Sequence, residues 1–207
     1  MTNVVAFTLL IAAASTAIIA PFALALAAWS WRAGVRAAVI DTIAMLPLVL
    51  PPTAVGFMLL SILPRPIVFT PAAVVIACGV MSFPLMFTAF RVALETTDRR
   101  YFDLARTLGA TPARAFARVT LPLAWRGLLS AVLLAYCRAI GEFGATILVA
   151  GNIPGRTQTL ALAIYDRVQT GRDSEAALLV VYVVLIAISL AGISTMLINR
   201  QRRRLAA

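Results

Sequence analysis

Thr97-Asp98-Arg99-Arg100-Tyr101-Phe102-Asp103-Leu104-Ala105-Arg106-Thr107-Leu108-Gly109-Ala110-Thr111-Pro112 is the run from which the organisation of this 207-residue chain unfolds. Thr97 or Asp98 offers a side-chain oxygen to the first free amides of a helix, and Tyr101, Leu104, Ala105 and Leu108 then recur on one helical face. Gly109 falls where a helix ends in a left-handed residue, and Thr111-Pro112 supply a second N-cap followed by a first-turn proline. The pattern predicts a short amphipathic helix, a glycine turn and a second helix to about Thr120, with Pro122 stopping it. Arg114 and Arg118 take one side of that second helix, and Ala113, Phe116 and Val119 another.

On both sides of this polar hairpin the chain turns apolar. Hydrophobic residues make up 62% and charged residues 13%, with a mean hydropathy of +0.96, well above an ordinary soluble domain. A bilayer core takes about 20 apolar helical residues, and five stretches qualify. They run over about 4–29, 39–63, 67–90, 123–150 and 176–198, which leaves 91–122 as the hairpin and 201–207 as a basic tail. The expected fold is therefore an all-α integral membrane protein with one transmembrane domain over 4–200. Residues 1–31 carry no charge and no basic residue precedes them, so the first stretch reads as a retained helix; a cleavable leader ending near Ala23–Ala28 is the competing reading.

The 18 basic residues are all arginines, against eight acids, and the chain has no histidine. An N-out, C-in orientation puts Arg32, Arg36, Arg91, Arg99, Arg100, Arg106, Arg114, Arg118, Arg126, Arg200, Arg202, Arg203 and Arg204 inside. Arg65, Arg156, Arg167 and Arg172 then lie outside, and Arg138 in the membrane. Cys78 and Cys137 stand alone in apolar runs, so a zinc cluster, a disulfide framework and a Cys–His nucleophile are all disfavoured, and no metal site is expected. Arginines spread beside spans, with no aromatic platform, also argue against nucleic acid.

Two spans are irregular. Asp41-Thr42-Ile43-Ala44-Met45-Leu46-Pro47-Leu48-Val49-Leu50-Pro51-Pro52-Thr53-Ala54-Val55-Gly56 holds three prolines and cannot be one smooth helix. Freed carbonyls at that depth need protein or a water-filled cavity beside them, so Pro51, Pro52 and Thr53 are candidates for a pathway wall; kinking for packing alone is the other reading. Gly79, Ser82 and Pro84 suggest a similar break in the third span. In the fourth, Arg138 and Glu142 are four residues apart and can pair, either to hold the bundle or to serve a gate. Outside, Asn152-Ile153-Pro154-Gly155 reads as a structured turn.

The hairpin carries a spacing of its own. Asp103-Leu104-Ala105, three residues, Gly109-Ala110, then Val119, one residue and Leu121-Pro122 resembles the loop E-A-A-x3-G-x9-I-x-L-P of type I ABC importer permeases. Asp103, Leu104 and Val119 depart from the pattern; Asp103 and Val119 are size-related replacements, and Leu104, with its larger side chain, is the departure that bears on the docking surface. Gly141-Glu142-Phe143-Gly144-Ala145-Thr146, Gly151-Asn152-Ile153-Pro154-Gly155-Arg156-Thr157-Gln158-Thr159-Leu160, Leu46 to Pro52 and Met81-Ser82-Phe83-Pro84-Leu85 are most similar to the molybdate importer permeases; the likeness covers about 37–170.

That resemblance implies a non-enzymatic transport subunit in a bacterial or archaeal plasma membrane. It implies a second permease chain, as a homodimer, two cytoplasmic ABC ATPase subunits carrying ATP and Mg, and an extracytoplasmic oxyanion-binding protein. No cofactor would be held by this chain. Asp103, Leu104, Ala105, Gly109, Ala110, Val119, Leu121 and Pro122 would couple to the ATPase. Pro51, Pro52, Thr53, Ser82, Gly141, Glu142, Gly144, Thr146 and Asn152 are the pathway or gate candidates. Sulfate, thiosulfate or tungstate remains open as the cargo, and a membrane scaffold recruiting a cytoplasmic protein is the reading from another class.

Overall fold

The computed structural model describes residues 2–205, and every regular element among them is helical. In chain order they are α1 (Thr2–Ala33), a 3-10 turn (Gly34–Ala37), α2 (Ala38–Val49), α3 (Pro52–Ile62), α4 (Pro71–Glu95) and α5 (Arg99–Thr107). Next come α6 (Pro112–Ala115), a π-turn (Phe116–Thr120), α7 (Leu121–Ile140), α8 (Gly144–Ala150), α9 (Leu160–Gln169) and α10 (Asp173–Leu205). Among the described residues four helices are long and apolar enough to cross a membrane, over Asn3–Ala33, Pro71–Glu95, Pro112–Ile140 and Asp173–Ile193. The pair α2 and α3, bent by 104° across Leu50-Pro51, makes the fifth candidate span.

The centre is α4, packed between α1 and α7. Its neighbours present mainly small side chains, Ala23 and Ala27 from α1 and Ala124, Ala131 and Ala135 from α7, with Phe87 and Phe90 of α4 filling between them. Apolar lipid gives helices little hydrophobic reason to associate, so close van der Waals contact between small residues is what holds such a bundle. Gly79 serves that packing, since a Cβ there would come within 3.1 Å of Ile19 Cγ2.

Three expectations are corrected. The third span is not broken at Gly79, Ser82 and Pro84: α4 runs unbroken through Pro84, because a proline inside a spanning helix is tolerated where neighbouring helices, here α1 and α7, pack around it. The fourth span is not one helix over 123–150, because it ends at Ile140 and resumes at Gly144. Pro122 does not stop the second hairpin helix, which continues from Pro112 to Ile140. The chain accommodates Pro122 by widening the preceding turn, so that the Leu121 N–H reaches the Phe116 carbonyl five residues back. The outer stretch 151–175 also contains α9, beyond the turn that its sequence pattern predicts.

Both ends of the bundle are tied. At one end Asp41 of α2 pairs with Arg91 of α4 and accepts from Ser30 Oγ of α1 at 2.7 Å, so three helices share one carboxylate. The same end carries Arg32, Arg99, Arg100, Arg106, Arg114, Arg118 and Arg126, as an inner face requires. At the other, the Leu160 N–H donates to Thr8 Oγ1 at 2.9 Å, which fastens α9 to the start of α1. The side chains of Arg36, Arg200, Arg202, Arg203 and Arg204, expected inside, lie outside the described residues.

Candidate functional site: a double helix break and an exposed inner helix

The second and fourth spans, the two that the structure breaks, meet. Leu50 and Pro51 are extended, Pro52 opens α3 at a position where no amide is needed, and α3 then crosses α8. A Cβ on Gly144 would stand 2.7 Å from Pro52 Cβ and 3.3 Å from the Thr53 nitrogen, and one on Gly56 would stand 2.8 Å from Ala145 Cα. Each helix thus uses a glycine to let the other's backbone in. Pro52, Thr53 and Gly144 meet at this crossing, with Pro51 just before α3, Gly141 and Glu142 in the break before α8, and Thr146 buried within α8.

Glu142 closes the second break. Its carboxylate is 1% exposed; Oε1 accepts from the Ala145 N–H at 2.8 Å, and Oε2 lies 2.8 Å from Arg138 Nη1. One side chain therefore satisfies an orphan amide of α8 and pairs with a cation in the last turn of α7. Thr146 Oγ1 donates to the Phe143 carbonyl at 2.8 Å, an oxygen that also accepts the Ile147 N–H at 2.9 Å, so the hydroxyl is held against the first turn of α8.

Two pathway candidates lie elsewhere. Ser82 is buried on α4, with no hydrogen-bond partner for its hydroxyl among the described residues. Asn152 belongs to the outer turn, where it accepts from Gln158 Nε2 at 3.0 Å. That turn is organised by Thr157, whose hydroxyl donates to the Ala150 carbonyl at 2.9 Å and accepts from the Ile153 N–H at 3.1 Å.

At the inner end, Asp98 caps α5 by accepting from the Arg100 N–H at 2.9 Å, and Thr111 caps α6 through Arg114. Gly109 sits between them at φ +86°, a conformation that side chains with a Cβ rarely take. Phe102 anchors α5 edge-on against Trp31 of α1, with ring centroids 5.4 Å apart, while the Arg99 guanidinium covers the same indole at 5.5 Å. Phe116 of the π-turn approaches it from α6. The opposite face of α5 is bare: Tyr101, Leu104 and Leu108 are exposed, Leu108 to 80%. Asp103 is exposed beside them, Ala105 and Ala110 are half-buried against the core, and Val119, Leu121 and Pro122 lie where the hairpin enters α7.

A family model for the binding-protein-dependent transport system inner membrane component matches residues 19–204. The chain belongs to that family. Relatives of this permease include the molybdenum transport system permease protein ModB of Escherichia coli K12, 42% identical over 175 residues, which span 77% of this chain and 75% of the relative. The protein of the same name from Haemophilus influenzae is 35% identical over 175 residues, 77% of this chain and 76% of the relative. Among solved structures, the inward-facing MetNI methionine ABC transporter covers 95% of both chains at a TM-score of 0.76 and 18% identity. The permease thus has the fold of a type I ABC importer transmembrane domain, and it is a multi-pass protein of the inner membrane.

The sequence reading missed Gly56 and the Asp41–Arg91 tie. Asp41 is the only acid in the apolar stretches 4–29, 39–63 and 67–90, and a lone carboxylate beside an apolar stretch calls for a cation on a neighbouring helix. Gly56 has no such signal, because its role exists only once α8 lies across it.

Proposed function

We propose that this permease forms the transmembrane pathway of a molybdate importer. In this reading it works as a pair of identical chains, is driven by two cytoplasmic ATPase subunits that hold ATP and Mg, and is fed by an extracytoplasmic oxyanion-binding protein. The observation that carries the substrate is the 42% identity to the Escherichia coli molybdenum permease over 175 residues. Coupling is supported by α5, whose buried Phe102 fixes the helix to α1 while Tyr101, Leu104 and Leu108 are left free to meet another protein. A stiff helix pair can pass a rigid-body movement of an ATPase to the spans.

The test is uptake of molybdate, with sulfate and tungstate as competitors, by cells whose own molybdate permease is deleted and which express this chain with its ATPase and binding protein. Molybdate uptake that outlasts excess sulfate is the expected result; uptake of sulfate instead would reassign the cargo. A complex purified under crosslinking with no ATPase would return the scaffold reading.

The coupling half has its own test. Gly109→Pro forces φ from +86° to about −65°, so α5 and α6 lose their relative orientation while the spans are untouched. Insertion at the normal level with transport abolished is expected; normal transport would remove the coupling assignment.

A further inference from the structure

Arg138 is badly placed for a residue with only a structural task. Glu142 is sealed at 1% exposure with both oxygens engaged, yet the Arg138 side chain remains 27% exposed within a membrane-spanning helix. Its guanidinium meets Glu142 Oε2 through Nη1, one of its three nitrogens, while the side chain stays partly open on the other side. Leu134 and Gly141 are exposed on the same side of the helix, one turn to either side, and Gly141 has nothing nearer to its Cβ position than the Arg138 carbonyl at 3.9 Å. Beyond Gly141 lies the crossing where Pro51, Pro52 and Thr53 are exposed. A cation open to acyl chains at that depth is strongly disfavoured, so this face belongs to a polar space, at the two breaks where freed backbone also requires one.

We propose that Arg138 is an anion-binding residue of the pathway, and that a tetrahedral oxyanion passing through is received by the guanidinium N–H groups that Glu142 does not use. The inference rests on the oxyanion reading above and adds a residue and a contact to it. Glu142 has two effects in this arrangement. It aims the guanidinium from behind, since its own position is fixed by the Ala145 N–H, and it offsets part of the charge. An unopposed arginine would hold a dianion too well, and conduction needs a site weak enough to release its ion. Two chains facing one pathway would each present such a half-neutralised arginine.

The experiment measures molybdate uptake per assembled complex for two variants, Arg138→Lys and the double variant Arg138→Gln with Glu142→Gln. The double variant removes both charges together, and the glutamine that replaces Glu142 can still accept from the Ala145 N–H, so no orphan ion is left to unfold the break. A lost charged hydrogen bond corresponds to about tenfold or more, and that fall is expected in the double variant, with Arg138→Lys retaining part of the rate. A double variant that assembles and takes up molybdate at the wild-type rate overturns the proposal, because a structural pair is replaceable by a neutral one. Should the double variant not assemble, Arg138→Lys decides: it keeps Glu142 paired, so reduced uptake per complex supports the anion contact and wild-type uptake overturns it. Failure of the oxyanion reading looks different, since the unaltered permease would then carry no molybdate.

Discussion

Gly144→Val is expected to abolish assembled permease, and Gly144→Ala to reduce it severely. The first Cβ alone would stand 2.7 Å from Pro52 Cβ, closer than real Cβ atoms approach other carbons, and 3.3 Å from the Thr53 nitrogen. Neither neighbour can move aside. Pro52 is a rigid ring at the first turn of α3, and the Thr53 nitrogen is backbone. Withdrawing α8 would relieve the clash only by giving up the close packing at a second point, where a Cβ on Gly56 would stand 2.8 Å from Ala145 Cα. Overpacking a core by a methylene or two costs typically about 1 to 3 kcal/mol, and an obstacle made of backbone and proline belongs at or beyond the upper end. Membrane-extracted complex, quantified by size-exclusion chromatography, is the measurement. Gly141→Ala, three residues earlier and with nothing nearer to its Cβ than the Arg138 carbonyl at an ordinary 3.9 Å, is the control and should assemble normally; equal loss in both would mean that glycine is required there for reasons other than the crossing.

The contrast between these two glycines marks how far the sequence could be read. Span number, the arginine-rich end, the helix–glycine–helix hairpin and the break at Pro51 each depend on local chemistry: an apolar run of sufficient length, a cap, a residue able to adopt φ +86°, a ring without an amide hydrogen. Errors arose where a local breaker was overruled by its surroundings. Pro84 breaks nothing because α1 and α7 clamp α4 on both sides, and Pro122 only swells one turn into a π-turn. The converse error has the same origin. Gly141-Glu142-Phe143 looks milder than a proline pair, yet it ends α7, because Glu142 can satisfy the amide that a break exposes and pair with Arg138 at the same time. A break is tolerated in a membrane where its orphan groups find partners, and partners on other turns or other helices are not visible in a list of helix breakers.

Glu142→Ala is the second large expected loss, and its size relative to Glu142→Gln measures how the break is held. Alanine removes both functions of the carboxylate, leaving the Ala145 N–H without its acceptor and the Arg138 guanidinium without its counter-ion. Removing one partner of a fully buried pair costs about 3 to 5 kcal/mol, and with the Arg138 side chain 27% exposed to the polar space the loss here falls below that range. An orphaned amide adds about 1 to 3 kcal/mol. Glutamine keeps the cap and loses only the charge, so Glu142→Gln should unfold between the wild type and Glu142→Ala in a detergent melting series. Adding Arg138→Gln to Glu142→Gln should raise the melting temperature again, since no uncompensated ion is left. That reversal is the informative point. If the double variant melts below Glu142→Gln, the arginine stabilises the bundle through packing of its stem along α7, and the ion pair is not what holds α7 and α8 together; if it melts above, the pair is electrostatically balanced and the cap on Ala145 is the part of Glu142 on which the break depends.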